Sequence, residues 1–162
     1  MSLLGLARLI RSTGRVAEPA PPLPDAAADR HATLAGSVQV RHVDAGSCNG
    51  CEIELAAAFG PVYDAERYGA RLVASPRHAD VVLVTGVVTH NMAAPLRRTV
   101  EATPRPRMVL AVGDCARDCG AFAGAHGVAG SVRDHVDVDL DVPGCPPEPD
   151  AIVAALRQVT GR

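Results

Sequence analysis

The sequence predicts an α/β fold, a mostly parallel sheet with helices on both faces. Three observations carry this. Strand-like and helix-like patterns alternate from residue 37 to the end of the chain. Two runs, DVVLVTG (80–86) and RMVLAVG (107–113), are almost continuously apolar, as strands covered on both faces are. The chain is 48% apolar and only 2% aromatic, so its core must be built from Val, Leu, Ile and Ala. At 162 residues it has the length of one ordinary domain.

Taken in order, residues 2–12 (SLLGLARLIRS) set Leu3, Leu4, Leu6, Leu9 and Ile10 around Arg8 and Arg11, the spacing of a short amphipathic helix. EPAPPLP (18–24) follows, a semi-rigid extended strap. We place these elements in a separate segment, residues 1–35, and the folded domain in 36–162. A detached helix has no core of its own to cover, so its apolar stripe is expected to dock on a partner or at a membrane interface; a frayed terminus is the simpler alternative. SVQVRHV (37–43) is a strand and CEIELAAAF (51–59) a helix. ARLVAS (70–75) and DVVLVTG are strands, and MAAPLRRTVEAT (92–103) is a helix with Pro95 in its first turn. RMVLAVG is a strand, VDVDLDV (136–142) an alternating, less buried strand, and PEPDAIVAALRQVTG (147–161) a terminal helix that opens on Pro and closes near Gly161.

Composition excludes several functions. The net charge of −2 offers no basic field to nucleic acid, and four aromatic residues make no base-stacking surface. All 16 basic residues are Arg, which removes Schiff-base and P-loop lysine chemistry. No apolar run reaches the roughly 18 residues of a membrane span, and no cleavable signal peptide of the usual shape is present, so a cytoplasmic location is expected. Five cysteines are an odd number for a disulfide framework; in a reducing compartment they read as metal ligands or reactive thiols.

Placement is the informative feature of these cysteines. Cys48 and Cys51 (AGSCNGCEIE) follow the first strand, Cys115 and Cys119 (VGDCARDCG) follow the VLAVG strand, and Cys145 (VPGCPPEP) follows the last. Ligands of open α/β sheets bind beyond the carboxyl ends of the strands, so three loops deliver thiols to one edge. The adjacent Gly46, Gly50, Gly113, Gly120 and Gly144 permit close backbone approach, and their amides are available to sulfur. Four thiolates suit soft metals. An iron–sulfur cluster is favoured over zinc because only one C-x2-C pair is local; zinc and redox thiols remain as alternatives. Spacing alone does not remove Cys119 as a ligand.

SCNGCEIE (47–54), HADVVLVTGVVTHNMAAPLRRTVEATPRPRMVLAVGDCA (78–116) and VPGCPPEPDAI (142–152) together resemble a family of small, cluster-bearing subunits. That family includes the small cluster-bearing subunit of respiratory NADH–quinone oxidoreductase and the small subunits of [NiFe] hydrogenases, and the resemblance covers roughly residues 36–160. It implies a flavodoxin-like domain with one [4Fe–4S] cluster, ligand positions on Cys48, Cys51, Cys115 and Cys145, and a non-ligating Cys119. Complex I subunits of this kind carry two adjacent cysteines. The C-x2-C followed by Glu52 instead resembles the membrane-bound, energy-converting and formate-hydrogenlyase group. The N-terminal helix and strap are similar to a segment that touches the membrane arm there. The implied function is electron relay in a multisubunit, membrane-associated oxidoreductase. The implied partners are a large catalytic subunit, a ferredoxin-like iron–sulfur subunit and membrane-arm subunits, at the cytoplasmic face of the membrane. The alternatives are the respiratory NADH–quinone reaction, a non-redox four-cysteine zinc module, and a thiol regulator using Cys115 and Cys119.

Other residues receive roles from their neighbourhood. Glu52, beside a ligand position, is a candidate proton shuttle, against the simpler reading of a helix first-turn acid favoured by the dipole. Glu54 is assigned to structure or an interface. Thr85 and Gly86 are expected near the cysteine pocket, and Asp114 and Arg117 to tune it. His90 is expected in solvent or at a partner. Arg97 and Arg98 should form a solvated helix face. His31, His42, His78, His126 and His135 lack metal-ligand spacing and receive no role. The DVDLD carboxylates (137–141) should form a solvated face, since acids spaced along a strand do not converge on one ion.

Overall fold

The computed structural model describes residues 36–162 throughout, together with Gly5, Arg8, Arg11, Ser12 and Leu34. Most of the amphipathic helix and all of the Pro-rich strap expected within 1–35 lie outside the described residues. Gly5, Arg8, Arg11 and Ser12 are helical and exposed.

Five parallel strands form the sheet: β1 (Val38–Asp44), β2 (Ala70–Leu72), β3 (Val81–Thr85), β5 (Met108–Val112) and β7 (Leu140–Val142), in the spatial order β2-β1-β3-β5-β7. Counting only these five strands, the order is 2-1-3-4-5, the flavodoxin-like arrangement. A short antiparallel ribbon of β4 (Val88–Thr89) and β6 (Val128–Gly130) stands beside the sheet. Helices α1 (Gly50–Ala58), α2 (His90–Ala102), α3 (Asp114–Asp118) and α4 (Pro149–Thr160) complete the fold.

The apolar runs sort by their period of two. Val81 and Leu83 face one core, shared with Leu55 of α1 and Ile152, Leu156 and Val159 of α4. Val82 and Val84 face the other, shared with Ala93, Leu96 and Val100 of α2. Both central strands are buried along their whole length, as their unbroken apolar runs require.

Register brings the strand ends into line. Asp44 pairs with Thr85, Thr85 with Val112, and Val112 with Val142. The cysteine-bearing loops after β1, β5 and β7 therefore leave the sheet from one row. At the opposite edge two acids fix that register. The Asp80 carboxylate accepts from the Gln39 amide at 2.8 Å while its own amide donates to the Gln39 carbonyl at 2.8 Å. Asp139 repeats the pattern on Val109, at 2.8 and 2.9 Å.

Three expectations change in detail. Helix α2 begins at His90, so Pro95 lies in its second turn and removes one internal hydrogen bond. VDVDLDV forms a ladder only over Leu140–Val142; its alternation records Val136 and Val138 packing against the second core, which needs no pairing. The strand expected over 70–75 pairs only over Ala70–Leu72.

Candidate functional site

The first loop is shaped by Asp44, whose Oδ1 accepts from the Gly46 and Ser47 amides at 2.9 and 2.8 Å. It passes so close over the end of β3 that a Cβ on Gly86, at φ +75°, would collide with the Ser47 amide nitrogen. Asn49 takes φ 71° and starts α1, which turns Cys51 inward and leaves Cys48 exposed. The second loop starts at Gly113, φ +91°, where a Cβ would stand 2.6 Å from Cys51 Sγ. Glycine is required there because the thiol occupies the space. The third loop is tied to the second: the Asp114 amide donates to the Gly144 carbonyl at 2.9 Å, and Asp114 Oδ1 accepts from the Gly144 amide at 2.9 Å. Arg117 pairs with the same Asp114 oxygen at 3.1 Å.

These loops enclose a cavity of ≈ 110 Å³ lined by Ser47, Cys48, Gly50, Cys51, Gly86, Asp114, Cys115, Gly144, Cys145 and Pro146. Four of the five cysteines line it, Cys51 and Cys115 buried and Cys48 and Cys145 exposed. Cys119 does not; it caps the C-terminus of α3 in a left-handed conformation. Among the described residues no three His, Cys, Asp or Glu side chains are gathered so as to hold a single metal ion.

No Arg or His lines the cavity, so nothing basic there compensates a thiolate. Burial, then the Glu52 carboxylate and the Cys115, Cys48 and Cys145 thiols, pushes the Cys51 thiol up to about 12. Burial and the Cys145 and Cys48 thiols also push Cys115 up. A thiol raised this far is a poor nucleophile at neutral pH, whereas a bound metal centre deprotonates its thiol ligands outright. The donor set thus fits a thiolate-ligated cationic centre better than free thiol chemistry.

Behind the cavity lies a polar cluster. Glu52, in the first turn of α1, accepts from Ser47 Oγ at 2.6 Å through Oε2 and from Thr85 Oγ1 through Oε1. His42 Nε2 is 2.9 Å from Thr85 Oγ1 and 3.7 Å from Glu52 Oε1. Thr85 has one proton and gives it to Glu52, so its oxygen accepts from His42, which assigns the ring proton to Nε2. Burial, aided by Arg41, lowers the His42 pKa against the opposing pull of Glu52 and Asp44. His42, assigned no role from sequence, and Ser47 therefore join the site. No sequence signal marks His42, because its meeting with Thr85 is a matter of strand register. Thr85 stands behind the cavity in this cluster, and Gly86 lines the cavity itself.

The remaining expectations are settled locally. Asp141 pairs with Arg133 at 2.7 Å and Asp139 caps β5, so these two acids are structural rather than merely solvated. Arg97 Nη1 lies 3.3 Å from His135 Nδ1. His90 is exposed, and Glu54 is half-buried on α1.

The model for the NADH ubiquinone oxidoreductase 20 Kd subunit family matches residues 48–159, which contain Cys48, Cys51, Cys115 and Cys145. The chain belongs to that family. The chain is 47% identical over 114 residues to a probable membrane-bound hydrogenase subunit of Pyrococcus furiosus, covering 70% of this chain and 68% of that one. It is 42% identical over 125 residues to formate hydrogenlyase subunit 7 of Escherichia coli K12, covering 77% of this chain. The match spans only 49% of that relative's length. Among solved structures, a chain of the membrane-bound sulfane sulfur reductase, an archaeal respiratory membrane complex, superposes with a TM-score of 0.69 at 29% identity. That superposition covers 80% of this chain and 71% of the other. Among the described residues no helix is long and apolar enough to cross a membrane.

Proposed function

We propose that this chain is the electron-transfer subunit of a membrane-associated oxidoreductase complex of the [NiFe]-hydrogenase or formate-hydrogenlyase type, with Cys48, Cys51, Cys115 and Cys145 as ligands of one [4Fe–4S] cluster. The observation that carries the reading is the convergence of four thiols from three strand-end loops on one cavity without a basic residue. Bound there, such a cluster supplies one-electron reduction and oxidation. The chain's own residues hold four thiolates, exclude water with Cys51 and Cys115 buried, and bring backbone close through Gly86 and Gly113.

Cys48, Cys145 and Pro146 are exposed at the rim, and Ile53 on α1 is 61% exposed. This face is the one a large catalytic subunit would cover, and electrons would pass between it and ferredoxin-like iron–sulfur subunits. The N-terminal segment would hold the chain peripherally on the membrane arm at the cytoplasmic face. Glu52 would move protons: the support is its hydrogen-bonded connection through Thr85 to partly exposed His42, more partners than a first-turn acid needs. A Glu52→Gln complex that retains full proton-coupled turnover would sink that role.

The test is iron, zinc and acid-labile sulfide per chain, on protein isolated without oxygen from its native source. About four irons and four sulfides are expected. They should be lost in Cys48→Ser, Cys51→Ser, Cys115→Ser and Cys145→Ser and kept in Cys119→Ser. Stoichiometric zinc without sulfide would replace electron transfer by a structural four-thiolate module.

A further inference from the structure

Thr89 stands at the start of a helix and does not serve that helix. It is the N-cap residue of α2, with extended backbone at φ −80° and ψ 158°. A threonine there ordinarily accepts a hydrogen bond from an amide of the first turn. No such bond forms. The hydroxyl instead donates to the Ala45 carbonyl at 3.1 Å, and the Thr89 amide donates to the same oxygen at 3.1 Å. The methyl lies against Gly46: a Cβ there, at φ +141°, would stand 2.5 Å from Thr89 Cγ2 and 2.9 Å from the Val87 carbonyl oxygen. One residue thus grips both residues that lead into Ser47 and Cys48. It is itself held from behind. Thr89 pairs with Val128 in the β4–β6 ribbon, and the His90 amide donates to the Gly127 carbonyl at 3.2 Å.

We infer that Thr89 is a positioning residue for Cys48: its hydroxyl is diverted from capping α2 to holding the loop that presents this thiolate to the cluster. The inference rests on the cluster reading above. Cys48 needs such support more than Cys51 does. Cys51 belongs to α1 and is buried, whereas Cys48 precedes the helix, is exposed at the rim, and takes its place from the loop. Within the loop, Asp44 gathers the Gly46 and Ser47 amides. Thr89 adds an anchor from another strand, on the fully buried Ala45. It does not line the cavity, so it acts on the cluster through the loop. Forgoing a cap costs the helix stability, and a local rule broken in this way is expected where a site needs the group elsewhere.

The experiment compares wild type, Thr89→Val and Thr89→Ser, purified without oxygen, with iron and sulfide counted on each. Thr89→Val keeps the methyl against Gly46 and removes the donor; Thr89→Ser keeps the donor. Iron release to excess chelator and amide hydrogen exchange resolved by residue are read on all three. One neutral hydrogen bond corresponds to roughly a fivefold change in an equilibrium. Thr89→Val should therefore release iron roughly fivefold faster than wild type. Its Gly46 and Ser47 amides should exchange faster by a similar factor, while Asn91 and Met92, the amides a cap would serve, keep the wild-type rate. Thr89→Ser should match the wild type in both. Unchanged iron release and unchanged exchange at Gly46 and Ser47 in loaded Thr89→Val overturn the inference and leave the cluster reading standing. Faster exchange at Asn91 and Met92 instead overturns it by making the hydroxyl a cap. Thr89→Ser as fast as Thr89→Val overturns it by assigning the hold to the methyl. A wild type without iron and sulfide removes the cluster reading, and the role toward Cys48 with it. If Thr89→Val does not load, exchange at Gly46 and Ser47 is compared in the unloaded wild type and variant, with the same expectation and the same refutation.

Discussion

Thr85 offers the most direct test of how the cysteine loop is held. Its side chain is fully buried at the end of β3, and its hydroxyl joins strand β1, through His42, to helix α1, through Glu52. Thr85→Val keeps the shape and removes the hydroxyl. The bond to the charged Glu52 contributes about 1.5–3 kcal/mol and the bond to His42 about 0.5–1.5 kcal/mol. Two effects reduce the sum. The added methyl replaces a polar group in an apolar setting, and the side chains of Glu52 and His42, 17% and 25% exposed, recover part of their hydrogen bonding from water. A loss of about 2 kcal/mol remains, which for a chain of this length lowers the melting temperature by roughly 4–8 °C. The assay is thermal unfolding by circular dichroism on identically prepared wild type, Thr85→Val, Glu52→Ala and the double variant. Side chains in direct contact should couple, so the double variant should be less damaged than the two single losses added, by about 1 kcal/mol. A Thr85→Val protein that melts within about 1 °C of wild type, or strict additivity in the cycle, would refute the view that this hydroxyl clamps the loop.

Two further predictions follow from the same region. The His42 pKa is lowered below its ordinary 6.5, so between the folded value and 6.5 the unfolded chain binds more protons than the folded one. Stability therefore falls as pH drops through that window and is restored above it. Urea unfolding midpoints between about pH 5 and pH 8 should show this slope in the wild type and a flatter one in His42→Gln. Asp114→Ala removes the acceptor that ties the Gly144 amide to the second loop and frees Arg117. In protein loaded with the cluster proposed above, loss of a charged hydrogen bond of about 1.5 kcal/mol or more corresponds to roughly tenfold faster iron release to a chelator, with Asp114→Asn, which keeps an acceptor oxygen, in between.

The sheet was readable in the sequence because its two central strands are apolar without interruption, and only strands buried on both faces need that. The cysteine edge was readable too: each loop follows a strand of the parallel sheet, β1, β5 or β7, and the carboxyl ends of parallel strands lie on one side. What escaped depends on register. His42 and Thr85 are 43 residues apart, and nothing local to either signals that their side chains meet. The β4–β6 ribbon escaped because strands of two and three residues carry no periodicity. The alternation over 136–142 overstates the strand, which pairs only over Leu140–Val142, for a related reason: apolar residues at every second position report which side is covered, not whether the backbone is paired.

The paired bonds of Asp80 with Gln39 and of Asp139 with Val109 have a consequence for how this domain tolerates change. Both lie at the end of the sheet remote from the thiols, and they join β1 to β3 and β5 to β7. Each pair is thus aligned at its far end by an acid that belongs to no cysteine loop. A substitution in a cysteine loop leaves these bonds in place, so damage there should reach the thiols before it reaches the strand register. The sheet has an anchored hem at one end and a working edge at the other.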